Sequence, residues 1–315
     1  MAAASLLGPA VRARLPAVLL VAVGAAAPAH AEIYYLIVGG LGGESAYEAQ
    51  FAKDTDALAA VARRTTAQSR VMVLKGEAAT REAVVNSFES LRTRTKAADS
   101  VVVMLVGHGS YDGELYKLNL PGPDIDGDEM AKLLAAVPAR SQLVVNATSA
   151  SGSVLEKWKA DGRTVITATR SGFERNATRF AQHFAAALAA GSADINKNGA
   201  ITAQEAFDYA SRSVADSFAK DGALATEHPQ IAGGAATRFT VARLASAGPA
   251  EPVSTDPAVA ALVAEREKLD GEIEALRGRR ESMANDAYLA ELQRLIVQLA
   301  EVQSKIDAAQ PRPAQ

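Results

Sequence analysis

The sequence predicts an α/β fold: a three-layer sandwich with a mostly parallel sheet between two layers of helices, followed by a C-terminal helical hairpin or coiled coil. Three observations predict it. Short, continuously apolar runs end in glycine or small polar residues, amphipathic helical patterns separate those runs, and the C-terminal part carries apolar residues at heptad spacing. Continuous apolar runs belong to strands buried on both faces, and helices between consecutive strands are what a parallel sheet requires.

The N-terminus is read as an export leader. Arg12 and Arg14 precede an apolar stretch over 15–27, and Ala29-His30-Ala31 has the small-x-small pattern of a cleavage site, so residues 1–31 form a signal peptide and the mature chain begins at Glu32. The stretch falls short of the roughly 20 residues needed to span a bilayer, and no later segment is long and apolar enough, so no membrane span is expected after leader removal. The protein is therefore expected to be exported, either periplasmic or secreted.

Strand patterns follow at 33–38, which ends in Gly39-Gly40, and then at 70–74, 100–106, 142–145 and 164–167. Helical patterns lie between and after them at 47–62, 81–91, 127–134, 154–159 and 176–189. This α/β region is taken as 32–244. Residues 245–257 (ASAGPAEPVSTDP) are rich in Pro, Ala and Ser and read as a linker. The tail, 258–309, places Val259, Leu262, Leu269, Ile273 and Leu276 on one stripe. A second stripe holds Tyr288, Leu292, Leu295, Leu299, Val302 and Ile306. Arg266 and Arg280 interrupt the first seam, and Gly271 and Gly278 weaken its helix. Self-association through these helices is the expected use of the tail.

Composition narrows the function. With 33 basic against 36 acidic residues, 5% aromatics and no basic stripe, nucleic acid is excluded as a partner. There is no cysteine, so neither a thiol nucleophile nor a disulfide exists.

Ligands and catalytic groups of parallel α/β sheets gather at the C-terminal strand ends. Here the strand 100–106 ends in Gly107-His108-Gly109-Ser110, and the strand 142–145 ends in Asn146-Ala147-Thr148-Ser149-Ala150-Ser151-Gly152-Ser153. If those strands are neighbours, His108 faces a hydroxyl-rich loop, and the Gly109 amide is available to an oxyanion. His183 reads as a packing residue, and His228 is assigned no role.

An apolar strand ending in His-Gly, then a second strand ending in a small-residue loop with Ser-Gly-Ser, resembles the legumain (peptidase C13-type) side of the caspase-like cysteine proteases. The resemblance covers 33–244 and implies a caspase-like sheet. In that family a histidine, matched by His108, acts with a cysteine shortly before Ser-Gly-Ser. The cysteine position falls on Ser149 when Ser-Gly-Ser is aligned without a gap, and on Thr148 when Asn146-Ala147 stands for the family's acidic-Ala pair. Legumains also read an asparagine side chain partly through an Arg-His pair after the first strand, where this chain has Ser45-Ala46-Tyr47-Glu48-Ala49. The resemblance thus implies a pseudo-protease that binds a protein or peptide partner in the strand-end cleft, or serves as a scaffold. The alternative is a hydrolase using Ser149 or Thr148 with His108.

A second motif is independent of that resemblance. Residues 194–205 fit the twelve-residue calcium loop: Asp194, Asn196, Asn198, Thr202 and Glu205 supply oxygens at positions 1, 3, 5, 9 and 12, and the Ala200 carbonyl supplies position 7. Gly199 stands at the sharp turn and Ile201 at the inward position. With only two carboxylates, weak structural Ca2+ binding is expected.

Overall fold

The computed structural model describes residues 31–244 and 257–309. Residues 1–30 of the leader expected over 1–31, and residues 245–256 of the expected linker, lie outside the described residues. Five long strands form the body of the sheet: β1 (Ile33–Gly39), β2 (Val71–Lys75), β3 (Ser100–Val106), then β7 (Ser141–Asn146) and β8 (Arg163–Thr167) after a small sheet made of β4 (Gly109–Tyr111), β5 (Tyr116–Leu118) and β6 (Ile125–Asp126). Later come β9 (Ala200–Thr202), β10 (Gln230–Ala232) and β11 (Thr240–Arg243). The main sheet has the order β10-β8-β7-β3-β1-β2; its first five strands in sequence run parallel, and only β10 is antiparallel, against β8.

Helices α1 (Ser45–Thr65), α2 (Arg81–Arg94), α3 (Gly127–Ala136), α4 (Leu155–Trp158), α5 (Phe180–Ala189) and α6 (Ala203–Lys220) cover both faces. Successive strand residues point to opposite sides, so each continuously apolar strand feeds two cores. Tyr35, Ile37, Val102, Met104, Leu143 and Val145 pack under Phe51 and Leu58 of α1, Phe180 and Phe184 of α5 and Val214 of α6. Leu36, Val38, Val103, Leu105 and Val144 pack under Phe88 and Leu91 of α2, Met130 and Leu134 of α3 and Trp158 of α4. The three-layer sandwich is therefore present. Side-chain caps start three helices: Thr80 accepts from Ala83 N, Asp126 from Asp128 N and Glu129 N, and Thr202 with Glu205 forms a reciprocal capping box.

In the tail, α7 (Pro257–Gly278) and α8 (Asn285–Ala309) lie side by side, and the short turn between them makes the pair an antiparallel hairpin. Leu269, Ile273, Leu276, Tyr288, Leu295, Val302 and Ile306 form its buried seam. Pro257, expected in the linker, is the first residue of α7, where its missing N–H costs nothing. Two seam expectations are corrected. Gly278 is the last residue of α7, outside its interior. Arg280 belongs to the 3-10 turn Arg280–Ser282 and lies over the Tyr288 ring at 5.3 Å. Arg266 does meet the second helix, donating to Gln303 at 3.2 Å.

Other differences from the expected elements are local. The stretch 154–159 divides into a 3-10 turn, Ser151–Val154, and the single turn α4, and the helix expected from 176 begins at Phe180.

Candidate functional site at the strand ends

Parallel pairing of β3 with β7, with Leu105 opposite Asn146, brings the two motifs to adjacent strand ends. Beyond β3 the chain turns at Gly107 with φ 137°, a conformation side chains resist, and a Cβ there would also stand 3.3 Å from the Gly40 backbone. His108 follows, and its carbonyl accepts from Asn119 N. Gly109 lies against the other loop so closely that a Cβ would stand 2.4 Å from the Ser149 carbonyl oxygen and 2.7 Å from Thr148 Oγ1. Only glycine allows these loops to touch.

The His108 ring is held edge-on by two aromatic side chains of α1, Tyr47 at 5.1 Å and Phe51 at 5.0 Å between ring centres. Tyr47 lies in the stretch Ser45–Ala49 after the first strand, and Phe51 follows it one turn along α1.

The two candidate hydroxyls are in opposite states. Thr148 is fully buried, and its Oγ1 lies 2.6 Å from the Tyr116 hydroxyl, 2.8 Å from Asn146 Oδ1 and 3.1 Å from the Ser149 carbonyl. Burial pushes the Tyr116 hydroxyl up to about 12, so this network stays neutral. Ser149 is 1% exposed, and its Oγ has no hydrogen-bond partner. Neither hydroxyl is hydrogen-bonded to His108. Ala150 then takes φ 56°, a left-handed conformation that costs a non-glycine residue on the order of 1–3 kcal/mol. The turn is held by Ser151-Gly152-Ser153. Ser151 Oγ accepts from Ala168 N and Thr169 N, Ser153 Oγ donates to the Ala150 carbonyl, and a Cβ on Gly152 would meet the backbone of Arg170 and Ser171. The Ser151 hydroxyl therefore fastens the β7 loop to the β8 loop, and the Ser153 hydroxyl closes the turn within the β7 loop.

Beside the histidine clamp lies a cavity of about 520 Å3, lined among others by Tyr47, Phe51, Thr178, Arg179, Gln182 and Phe218. Thr178 Oγ1 donates to the Ala147 carbonyl, which joins the cavity wall to the β7 loop. Arg179 pairs with Asp221 at 2.7 Å and stacks over Phe218 at 4.3 Å. Behind this wall Glu227 is buried and accepts from Arg179 N and Phe180 N at the start of α5. Burial raises its carboxyl to about 7. His228 is bonded to Glu174 at 2.6 Å. Sequence reasoning assigned neither Glu227 nor His228 a role, and it missed Tyr116; all three meet partners 30 or more residues away, which no local pattern reveals. His183 is half-buried on α5, and burial together with Arg179 lowers its pKa. The residues expected to hold calcium lie elsewhere: Asp194, Asn196 and Asn198 in the loop after α5, Ala200 and Thr202 in β9, and Glu205 in the first turn of α6.

No protein-family model matches the chain, and no curated protein matches it. Solved structures similar to it include protein GSU0716 from Geobacter sulfurreducens (14% identity, 64% of this chain and 92% of that one, TM-score 0.40). The Drosophila initiator caspase Dronc is another (12% identity, 64% and 78%, TM-score 0.41).

Proposed function

We propose that the protein is an exported caspase/legumain-like pseudo-protease, whose strand-end cleft holds a peptide partner without cutting it. The observation that carries this reading is the state of the nucleophile's place. A hydroxyl becomes a nucleophile when a base is within hydrogen-bond reach. Here Thr148 is saturated by Tyr116 and Asn146, Ser149 is buried without a partner, and the histidine beside them is clamped by aromatic rings. A cavity with aromatic walls and amide and hydroxyl groups (Gln50, Asn176, Thr178, Gln182) suits a neutral polar segment of peptide. Binding of a labelled degenerate peptide library, read by fluorescence polarisation, tests it. Wild-type protein is expected to bind a subset of sequences and leave them uncleaved by mass spectrometry, and Tyr47→Ala is expected to weaken binding at least tenfold at unchanged Tm. No binding at any composition overturns the reading.

A second reading, a hydrolase using Ser149 with His108, is favoured by one observation: the Ser149 hydroxyl is the orphaned group of a loop whose other hydroxyls are all engaged. Bound substrate would have to bring the imidazole to it.

Export to the periplasm or beyond the cell rests on the leader pattern of 1–31, and amino-terminal sequencing of mature protein starting at Glu32 is the check. The tail is proposed as the self-association element of a body spanning 32–244. The described helices are too short or too polar to cross a membrane. The tail seam is buried within one chain, so association would use the exposed Leu289, Ile296 and Val297 of α8. Truncation after Ala247 should leave a folded monomer by light scattering.

A further inference from the structure

Between α5 and α6 the chain makes a tight loop that the cleft does not use. Its conformation follows from the sequence. Asp194 accepts from Asn198 N at 3.1 Å and Gly199 N at 2.9 Å through its two oxygens, and Asn196 and Asn198 accept from backbone amides two residues on. Lys197 and Gly199 turn the chain with φ 59° and 77°. At the other end Glu205 accepts from Ile195 N at 3.2 Å, so the carboxylate that closes the loop is tied back to the residue next to Asp194. Ile201 is buried in the core shared by α1, α5 and α6.

Turn geometry alone would be satisfied by an Asn-Gly loop and a capping box. What it leaves unexplained is charge. Asp194 is 3% exposed and Glu205 1% exposed, yet among the described residues no ion pair involves either of them. The only cation within the loop, Lys197, reaches outward to the Gly191 carbonyl. Two buried carboxylates brought together without a cation carry a desolvation cost that hydrogen bonds from amides meet only in part. Among the described residues no group of three or more His, Cys, Asp or Glu could hold a metal, this loop included, so its charged donors are the two carboxylates alone. Amide, hydroxyl and carbonyl oxygens around two carboxylates suit a hard cation with six or more oxygen ligands.

We propose that this loop binds one calcium ion through the Asp194, Asn196, Asn198, Thr202 and Glu205 side chains and the Ala200 carbonyl, and that the ion clamps the α5–α6 hairpin. Strand β11 pairs with the second half of the loop: Thr240 stands opposite Thr202, Ala242 opposite Ile201 and Arg243 opposite Ala200, while Leu244 N donates to the Gly199 carbonyl. That pairing fixes positions 7 to 9 before the ion arrives, which lets a single loop bind without a partner hand. The hairpin carries Arg179 in front of α5 and Phe218 near the end of α6, so the clamp steadies one wall of the cavity.

The experiment uses the full chain. Thermal unfolding in chelator is compared with unfolding in ~10 mM calcium chloride, with magnesium chloride at the same concentration as the control. Two carboxylates place Kd on the order of 10⁻⁴–10⁻³ M. Binding confined to the folded state then raises Tm by roughly 3–10 °C, increasing with the logarithm of calcium concentration. Isothermal titration is expected to give one site per chain. Asp194→Asn and Glu205→Gln keep the turn and the helix cap but remove a charge each, and both should lose the calcium shift while folding in chelator. An unchanged wild-type Tm, an equal effect of magnesium, or a shift that persists in both variants overturns the proposal. Either variant decides the matter if the other fails to fold.

Discussion

Two loops of this protein are built from the same kinds of residue and end in different chemistry. The loop after β7 and the loop 194–205 both depend on glycines, short polar side chains and a left-handed non-glycine residue, Ala150 in one and Lys197 in the other. In the β7 loop the polar groups engage one another: Thr148 with Tyr116 and Asn146, Ser151 with the amides after β8, Ser153 with the Ala150 carbonyl. Apart from the Ser149 hydroxyl and the Asn146 amide nitrogen, its buried side-chain donors and acceptors find partners. In the 194–205 loop Asp194 and Glu205 are buried and hydrogen-bonded to backbone amides, and among the described residues neither has an ion-pair partner. Residue type does not separate a quiet loop from one proposed to bind an ion. What separates them is the capacity left over after local bonding, neutral in the first case and ionic in the second.

The contact between the His108 and Thr148-Ser149 loops is the feature whose loss should be felt most. Gly109→Ala forces a methyl group into the Ser149 carbonyl and the Thr148 hydroxyl, and is expected to lower stability by about 1–3 kcal/mol or more in urea melts. A neutral result would mean that the loops are not in contact. Thr148→Val should cost about 1–3 kcal/mol, because it leaves the buried Tyr116 and Asn146 groups short of a partner.

Glu227 offers an intermediate case, a buried carboxyl provided with two amide donors and the nearby Arg179 guanidinium. Burial outweighs them and raises its pKa from 4.5 to about 7, with Glu174 adding to the rise. The folded chain therefore keeps a proton that the unfolded chain has released between those values. This contribution to stability is fully present below about pH 4.5 and is lost as pH rises through 7. Relative to Glu227→Gln, wild-type protein should lose stability across that window. A difference that stays constant from pH 4.5 to 8 contradicts this. Ser149→Ala has the smallest expected effect, within about 1 kcal/mol and toward greater stability, since it removes a buried hydroxyl that has no partner.

The sheet was legible in the sequence because each long strand is apolar on both faces. The run 100–106 matches β3 at both ends, and the runs at 33, 142 and 164 miss by one residue at most at either end. The small sheet β4–β5–β6 escaped because its strands have two or three residues of mixed polarity, too few for a period to show. The helix expected from Asn176 starts at Phe180 because Thr178 and Arg179 turn to bonds with Ala147, Glu227 and Asp221. At the site, the spacing of motifs placed His108 and Thr148-Ser149 on neighbouring strands. Which hydroxyl was already committed depended on Tyr116, whose approach across the hairpin leaves no mark on the sequence around Thr148.

Intact-mass spectrometry after incubation with a fluorophosphonate probe tests the central claim most directly, because the probe captures a serine only when a base has activated it. No mass increase is expected for the wild-type protein, with or without a bound peptide. A stoichiometric adduct on Ser149 that disappears in His108→Ala would contradict the account and establish the hydrolase reading in its place.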